Sequence, residues 1–234
     1  MNLHLTKEQF EILLPHATEK YIVGSQYYGH ASDDSDTDIL CIYDDTGLDN
    51  SILKSYGIFS NLQLQYKDLD NKIDYVFSTR PQFWGNLLSG DSQINLEVAL
   101  FELEYGGEYF RSFKILRGLL GVAKRDLKAS ASDVNRLRHA EKMVFITQQI
   151  YNNFGIAKDT ITSIFSQDDD MVLEGKELLT KRVEDFRLIL SKDLDEGKLF
   201  SYSPAFINHL KSTGVGDPTS LIINNLNTIN FKYD

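Results

Sequence analysis

A chain of 234 residues, 42% hydrophobic and 25% charged, has the ordinary composition of a soluble globular protein and the length for one sizeable domain or two small ones. Its net charge of -10 argues against a broad, non-specific grip on nucleic acid, which needs many phosphate-neutralising cations, but fits a site that collects carboxylates around divalent metal. No apolar stretch approaches bilayer length, Met1 to Glu8 lacks the regions of a signal peptide, and Cys41 as the only cysteine excludes an internal disulfide; a reducing cytoplasm is the expected setting and no membrane partner is expected.

Taken in chain order, Thr6 is a candidate N-cap for a helix through Phe10, Ile12, Leu13 and Leu14 that ends near Pro15. Tyr21-Ile22-Val23 reads as a short buried strand stopping at Gly24-Ser25, and Asp38 to Tyr43 is an apolar run of strand length. Leu62 to Tyr66 alternates, as does much of Lys72 to Phe77, and Asp70-Asn71 between them suits a hairpin turn. After Pro81 the spacing turns helical, first at Phe83, Leu87 and Leu88, then in segments near 108–128, 133–153, 172–192 and 203–212. The acidic run Asp168-Asp169-Asp170 would favour the start of the third of these segments. The expected fold is α+β: a small mixed β-sheet core with flanking helices over residues 1–105, then a helical region over 106–234, with Gly106-Gly107 at the boundary.

The segment from Gly24 to Leu40 concentrates the chemistry. A buried strand ends in Gly24-Ser25, where glycine permits close backbone approach and the following amides can point at a phosphate. A short polar loop leads to Asp36-Thr37-Asp38 at the opening of the next strand, and side chains two apart on a strand project from one face. Asp74, within Lys72 to Phe77, has the neighbours of a sheet strand, where a charge is costly unless it is solvated, paired or bound to metal. Three strand carboxylates beside a Gly-Ser turn are the oxygen donors that Mg²⁺ or Mn²⁺ takes together with substrate phosphates. Five scattered histidines and one cysteine offer no zinc spacing, and there is neither a Gly-x-x-x-x-Gly-Lys-Ser/Thr loop nor a Gly-x-Gly-x-x-Gly fingerprint.

These residues, in this order, resemble the signature of the DNA polymerase beta-like nucleotidyltransferase superfamily: Gly24-Ser25, Gly29, Asp36, Asp38 and a later strand Asp74. Within it, Phe83 to Glu97, Leu120 to Leu127 and, more loosely, His139-Ala140-Glu141-Lys142 are similar to a branch associated with bacterial RNA-repair operons and phages. The resemblance covers residues 20 to about 155. It implies transfer of a nucleoside monophosphate from an NTP to a hydroxyl acceptor, an RNA or tRNA end being favoured, with release of pyrophosphate. It also implies two Mg²⁺ or Mn²⁺ ions held by Asp36, Asp38 and Asp74, the triphosphate held at Gly24 and Ser25, and phosphate contacts from Lys124 and Lys142. Gln26 and Lys142 stand where arginine is usual, which weakens phosphate contact.

Two other readings stay open: an enzyme placing AMP or UMP on a protein side chain, and a nucleotide-binding regulator on the same fold without turnover. The stretch holding Lys114, Arg117, Lys124, Arg125, Lys128, Arg136, Arg138 and Lys142 is locally basic and would favour RNA if those cations faced the aspartates; a small-molecule or protein acceptor is expected otherwise. For Tyr27, Tyr28, Trp84 and Cys41 core packing is the expected use, and for His139 a partly buried hydrogen bond.

Overall fold

A computed structural model describes residues 2–28, 31, 35–43, 63–79, 83, 110–130, 134–153 and 175–212. The described residues up to Phe83 and those from Phe110 onward belong to two separate compact units. The 105/106 boundary expected from Gly106-Gly107 lies outside the described residues, as do Gly29, Trp84 and the acidic run at Asp168.

The first unit is a five-stranded mixed sheet in the order β1-β4-β5-β3-β2. Its strands are β1 (Asn2–His4), β2 (Ala17–Val23), β3 (Thr37–Tyr43), β4 (Gln63–Asp68) and β5 (Ile73–Thr79). β3 pairs parallel with β5 and antiparallel with β2, while β4 pairs antiparallel with β5 and parallel with β1. Helix α1 (Lys7–Leu13) opens on a reciprocal capping box: Thr6 Oγ1 accepts from the Gln9 amide at 3.3 Å, and Gln9 Oε1 accepts from the Thr6 amide at 2.8 Å. Pro15 falls in the 3₁₀ turn Leu14–His16 that closes the helix.

Strand alternation explains where the core lies. Cys41 and Tyr43 of β3, Leu64 of β4 and Phe77 of β5 share a core with Leu5 and Leu13, against which Phe10, Ile39, Tyr66 and Tyr75 pack. Phe10 stacks on Tyr66 with ring centroids 4.1 Å apart, fixing α1 on that face. Cys41 is fully buried there, and burial pushes its thiol up to about 11, as befits an inert core residue. The residues between them in the strands, Asp38 and Asp74 included, belong by the same alternation to the opposite face.

The second unit is helical: α3 (Phe113–Ala129), α4 (Val134–Asn153), α5 (Lys176–Asp195) and α6 (Pro204–Ser212), where α2 is the short helix Gly24–Tyr28 of the first unit. α3 buries Ile115, Leu116, Leu119, Leu120, Ala123 and Leu127, a helical-period stripe, and packs on both α4 and α5. Their facing sides supply Ala140, Met143, Val144 and Ile150 from α4, and Leu179, Val183, Phe186 and Leu190 from α5. A helical part following a mixed sheet therefore matches the expected order. Among the described residues, no helix is long and apolar enough to cross a membrane.

One charge lies deep in this unit. Asp126 is 3% exposed, with His139 Nδ1 at 2.7 Å from its Oδ2 and Arg125 Nε at 3.1 Å from its Oδ1. Arg136 stands 3.8 Å away. Burial pushes the Asp126 carboxyl up, but the hydrogen bonds from His139 and Arg125 outweigh it and hold the group below the usual carboxylate range. Because the folded-state value is depressed, the charge contributes stability above the unfolded value of ~3.9, and that contribution is lost as pH falls through the folded value. Asp126→Asn is expected to cost about 2 kcal/mol in urea denaturation at pH 7. The gap to the parent protein should narrow steadily below about pH 4; a gap independent of pH would mean that shape, not charge, holds α3 to α4.

Candidate active site

Gly24 follows the last residue of β2 and begins α2 with φ of 67°, a conformation that disfavours any residue with a side chain. The reason for a glycine there is steric as well. A Cβ built on Gly24 would lie 2.6 Å from Asp38 Oδ2, closer than side-chain carbons approach an oxygen. Backbone and carboxylate thus meet at a distance only glycine permits. Val23, the residue before, is the antiparallel partner of Asp38, so strand pairing brings the two together. Where the sequence suggested a plain loop after Gly24-Ser25, the chain makes the helical turns of α2, in which Ser25 and Gln26 follow directly.

Across the sheet, Asp38 of β3 is in register with Asp74 of β5. Asp36 precedes β3 and is exposed, while Asp38 and Asp74 are half-buried. Burial raises the Asp38 carboxyl above its ordinary value; the charges of Asp74 and then Asp36 raise it further, and Lys67 pulls it down. Asp38 therefore holds a costly negative charge among other negative charges, a load that a cation would relieve.

Lys67, a residue the sequence reading did not single out, completes the row. It is in antiparallel register with Asp74, and its Nζ donates to Asp74 Oδ2. The bond to Asp74, foremost, lifts the Lys67 ammonium above its usual range. The signal was present: Lys67 lies three residues before Asp70, and Asp74 three after Asn71, so a hairpin centred on Asp70-Asn71 pairs them. That turn is held by Asp68, whose carboxylate accepts from the Asn71 amide at 3.2 Å and from Asn71 Nδ2 at 2.8 Å.

Oxygen donors of this kind suit a hard divalent cation, and the contact between Gly24 and Asp38 leaves a cradle that a Cβ would fill. Among the described residues, no group of three or more His, Cys, Asp or Glu side chains converges closely enough to hold a metal ion; the Asp74 carboxylate is bonded to Lys67 instead. Asp74 is in register with Asp38 alone, and the charge of Asp36 also reaches the Asp38 carboxylate.

The remaining candidates belong to the helical unit. Lys124 on α3 lies 3.7 Å from Glu184, an exposed pair, and Lys142 on α4 is half-buried. Within the basic stretch, Arg125, Arg136 and His139 all turn to Asp126, and the Arg117 guanidinium lies 5.6 Å from the centre of the Phe113 ring. Several of those cations are thus engaged by the helices themselves.

No family model, characterised protein or solved structure matches the chain.

Proposed function

We propose that this protein is a metal-dependent nucleotidyltransferase, its sheet serving as a nucleotidyltransferase core. The observation that carries the reading is the meeting of Gly24 and Asp38: a left-handed glycine closing β2 against a carboxylate whose strand neighbour is another carboxylate, Asp74. That junction joins the two halves of the sequence signature, the Gly-Ser turn and the Asp-x-Asp pair.

In this mechanism Asp36 and Asp38 would hold Mg²⁺ or Mn²⁺, and Asp74 would contribute to a second ion. When bound, the ions neutralise triphosphate charge and lower the acceptor hydroxyl's pKa. Gly24 and Ser25 bring backbone, free of a bulky side chain at Gly24, to the phosphates. The acceptor oxygen bonds to the α-phosphorus, the bond from that phosphorus to the bridging oxygen breaks, and pyrophosphate leaves with the electron pair. Asp74 helps to take the hydroxyl proton. Positioning and charge neutralisation supply most of the acceleration. Lys124 and Lys142 are carried into the proposal as phosphate contacts on the sequence resemblance alone, as are an RNA or tRNA end as acceptor and a cytoplasmic setting.

One observation favours the second reading, a nucleotide-binding regulator without turnover: Lys67 already neutralises the third carboxylate. The two separate in an assay. The protein is incubated with each of four α-phosphate-labelled NTPs and Mg²⁺ or Mn²⁺, and label is followed into separated cellular RNA and protein. Label should enter RNA, and an Asp36→Ala/Asp38→Ala variant should transfer none. Label in protein would name the acceptor class as a side-chain hydroxyl. NTP-dependent thermal stabilisation without label would favour the regulator, and neither label nor metal-dependent NTP binding would sink both.

A further inference from the structure

The row formed by Lys67 of β4, Asp74 of β5 and Asp38 of β3 lies across three adjacent strands, in register at both steps. Residues directly opposite on neighbouring strands are held side by side by the backbone ladder, so the Lys67–Asp74 contact does not depend on one chance rotamer. The hairpin reinforces it. Lys72, with φ of 53°, ends the turn, and its carbonyl accepts from the Thr37 amide at 2.8 Å, tying the turn to the start of β3. The lysine side chain is 52% exposed and that of Asp74 26%, so the pair stands at the open side of the row.

We propose that Lys67 is a positioning residue that holds Asp74 and makes the two ion sites unequal. The inference rests on the transferase reading, in which Asp36, Asp38 and Asp74 bind the ions. Among the described residues no cation is bonded to Asp36 or Asp38, so an ion there meets two carboxylates, whereas Asp74 is already paired with Lys67. An ion shared with Asp74 must displace the Lys67 ammonium or tolerate its charge at contact distance. The first ion therefore binds tightly and the second weakly, and the second carboxylate site fills only when enough metal, or metal carried on a triphosphate, competes with Lys67. Lys67 touches neither reacting atom; it acts through Asp74.

Mn²⁺ binding to the full chain without nucleotide, followed by electron paramagnetic resonance of free Mn²⁺, tests this independently of turnover. The parent protein should show one tight site and a second weaker by at least about tenfold. Lys67→Met should strengthen the second site about tenfold and leave the first nearly unchanged, while Lys67→Arg should restore the inequality. A second affinity unmoved by Lys67→Met, with binding still abolished in Asp36→Ala/Asp38→Ala, would overturn the role of Lys67 and leave the transferase reading standing. Absence of Mn²⁺ binding in the parent and in both Lys67 variants, each shown to be folded by a cooperative urea transition, would overturn the transferase reading and this role together.

Discussion

Asp38→Asn is expected to abolish nucleotide transfer and, in the absence of divalent ions, to make the protein more stable. In the proposed transferase the activity loss should be on the order of a thousandfold, since the variant would remove a ligand from an ion asked to supply several kcal/mol of charge stabilisation. The gain in stability follows from the raised carboxyl of Asp38, which burial and the charges of Asp74 and Asp36 make costly to ionise. A group whose folded-state value is raised binds its proton more tightly when folded. Its ionisation therefore penalises the fold as pH rises through that value, and the penalty is absent below the unfolded value of ~3.9. In chelator, the urea midpoint of Asp38→Asn should exceed that of the parent at pH 7, and the two should converge below about pH 4. Saturating Mg²⁺ should reverse the order by stabilising the parent alone, by about 2.7 kcal/mol when the free ion is a hundred times its Kd. A variant less stable than the parent in chelator would make Asp38 a structural group rather than a cation ligand.

Gly24→Ala should damage the same site from the backbone side. The left-handed φ of 67° costs an alanine roughly 1–2 kcal/mol, and the added Cβ would lie 2.6 Å from Asp38 Oδ2. Either the carboxylate swings away or β2 parts from β3. In the proposed transferase, both would misplace a metal ligand by the ångström that costs about a hundredfold in rate. A double-mutant cycle separates the two contributions. Introduced into Asp38→Ala, where no carboxylate remains to strike, Gly24→Ala should cost only its backbone strain, leaving a coupling of about 1 kcal/mol or more in urea denaturation. Equal costs in both backgrounds would mean that Gly24 serves the turn alone and that its contact with Asp38 carries no energy.

How far the sequence reached can be followed residue by residue. Thr6 announced a helix start, because an N-cap is satisfied within one turn of chain. The helical segments expected near 133–153 and 203–212 recur almost residue for residue in α4 and α6, since an amphipathic stripe is a local pattern. β1 was not anticipated: a strand of three residues has no period to read, and it exists only because β4 lies alongside to pair with it. Likewise, β2 runs from Ala17 rather than Tyr21, its polar first half being held by pairing to β3 rather than by apolar content. Asp126 gave no local sign either, being an acidic residue on a helix whose burial depends on cations brought by α4.

The same division holds at the site. By itself the sequence singled out Asp36, Asp38 and Asp74 as the candidate carboxylates and placed a glycine where one strand stops. It even held the Lys67–Asp74 pair in its hairpin spacing, because a tight turn fixes register locally. Only tertiary structure decided that Asp38 falls in register with Asp74, that Gly24 closes on Asp38, and that burial adds to like charge there. Those facts come from pairing strands far apart in the chain, and register between such strands is set by which faces the whole core buries, a quantity no local window of sequence contains.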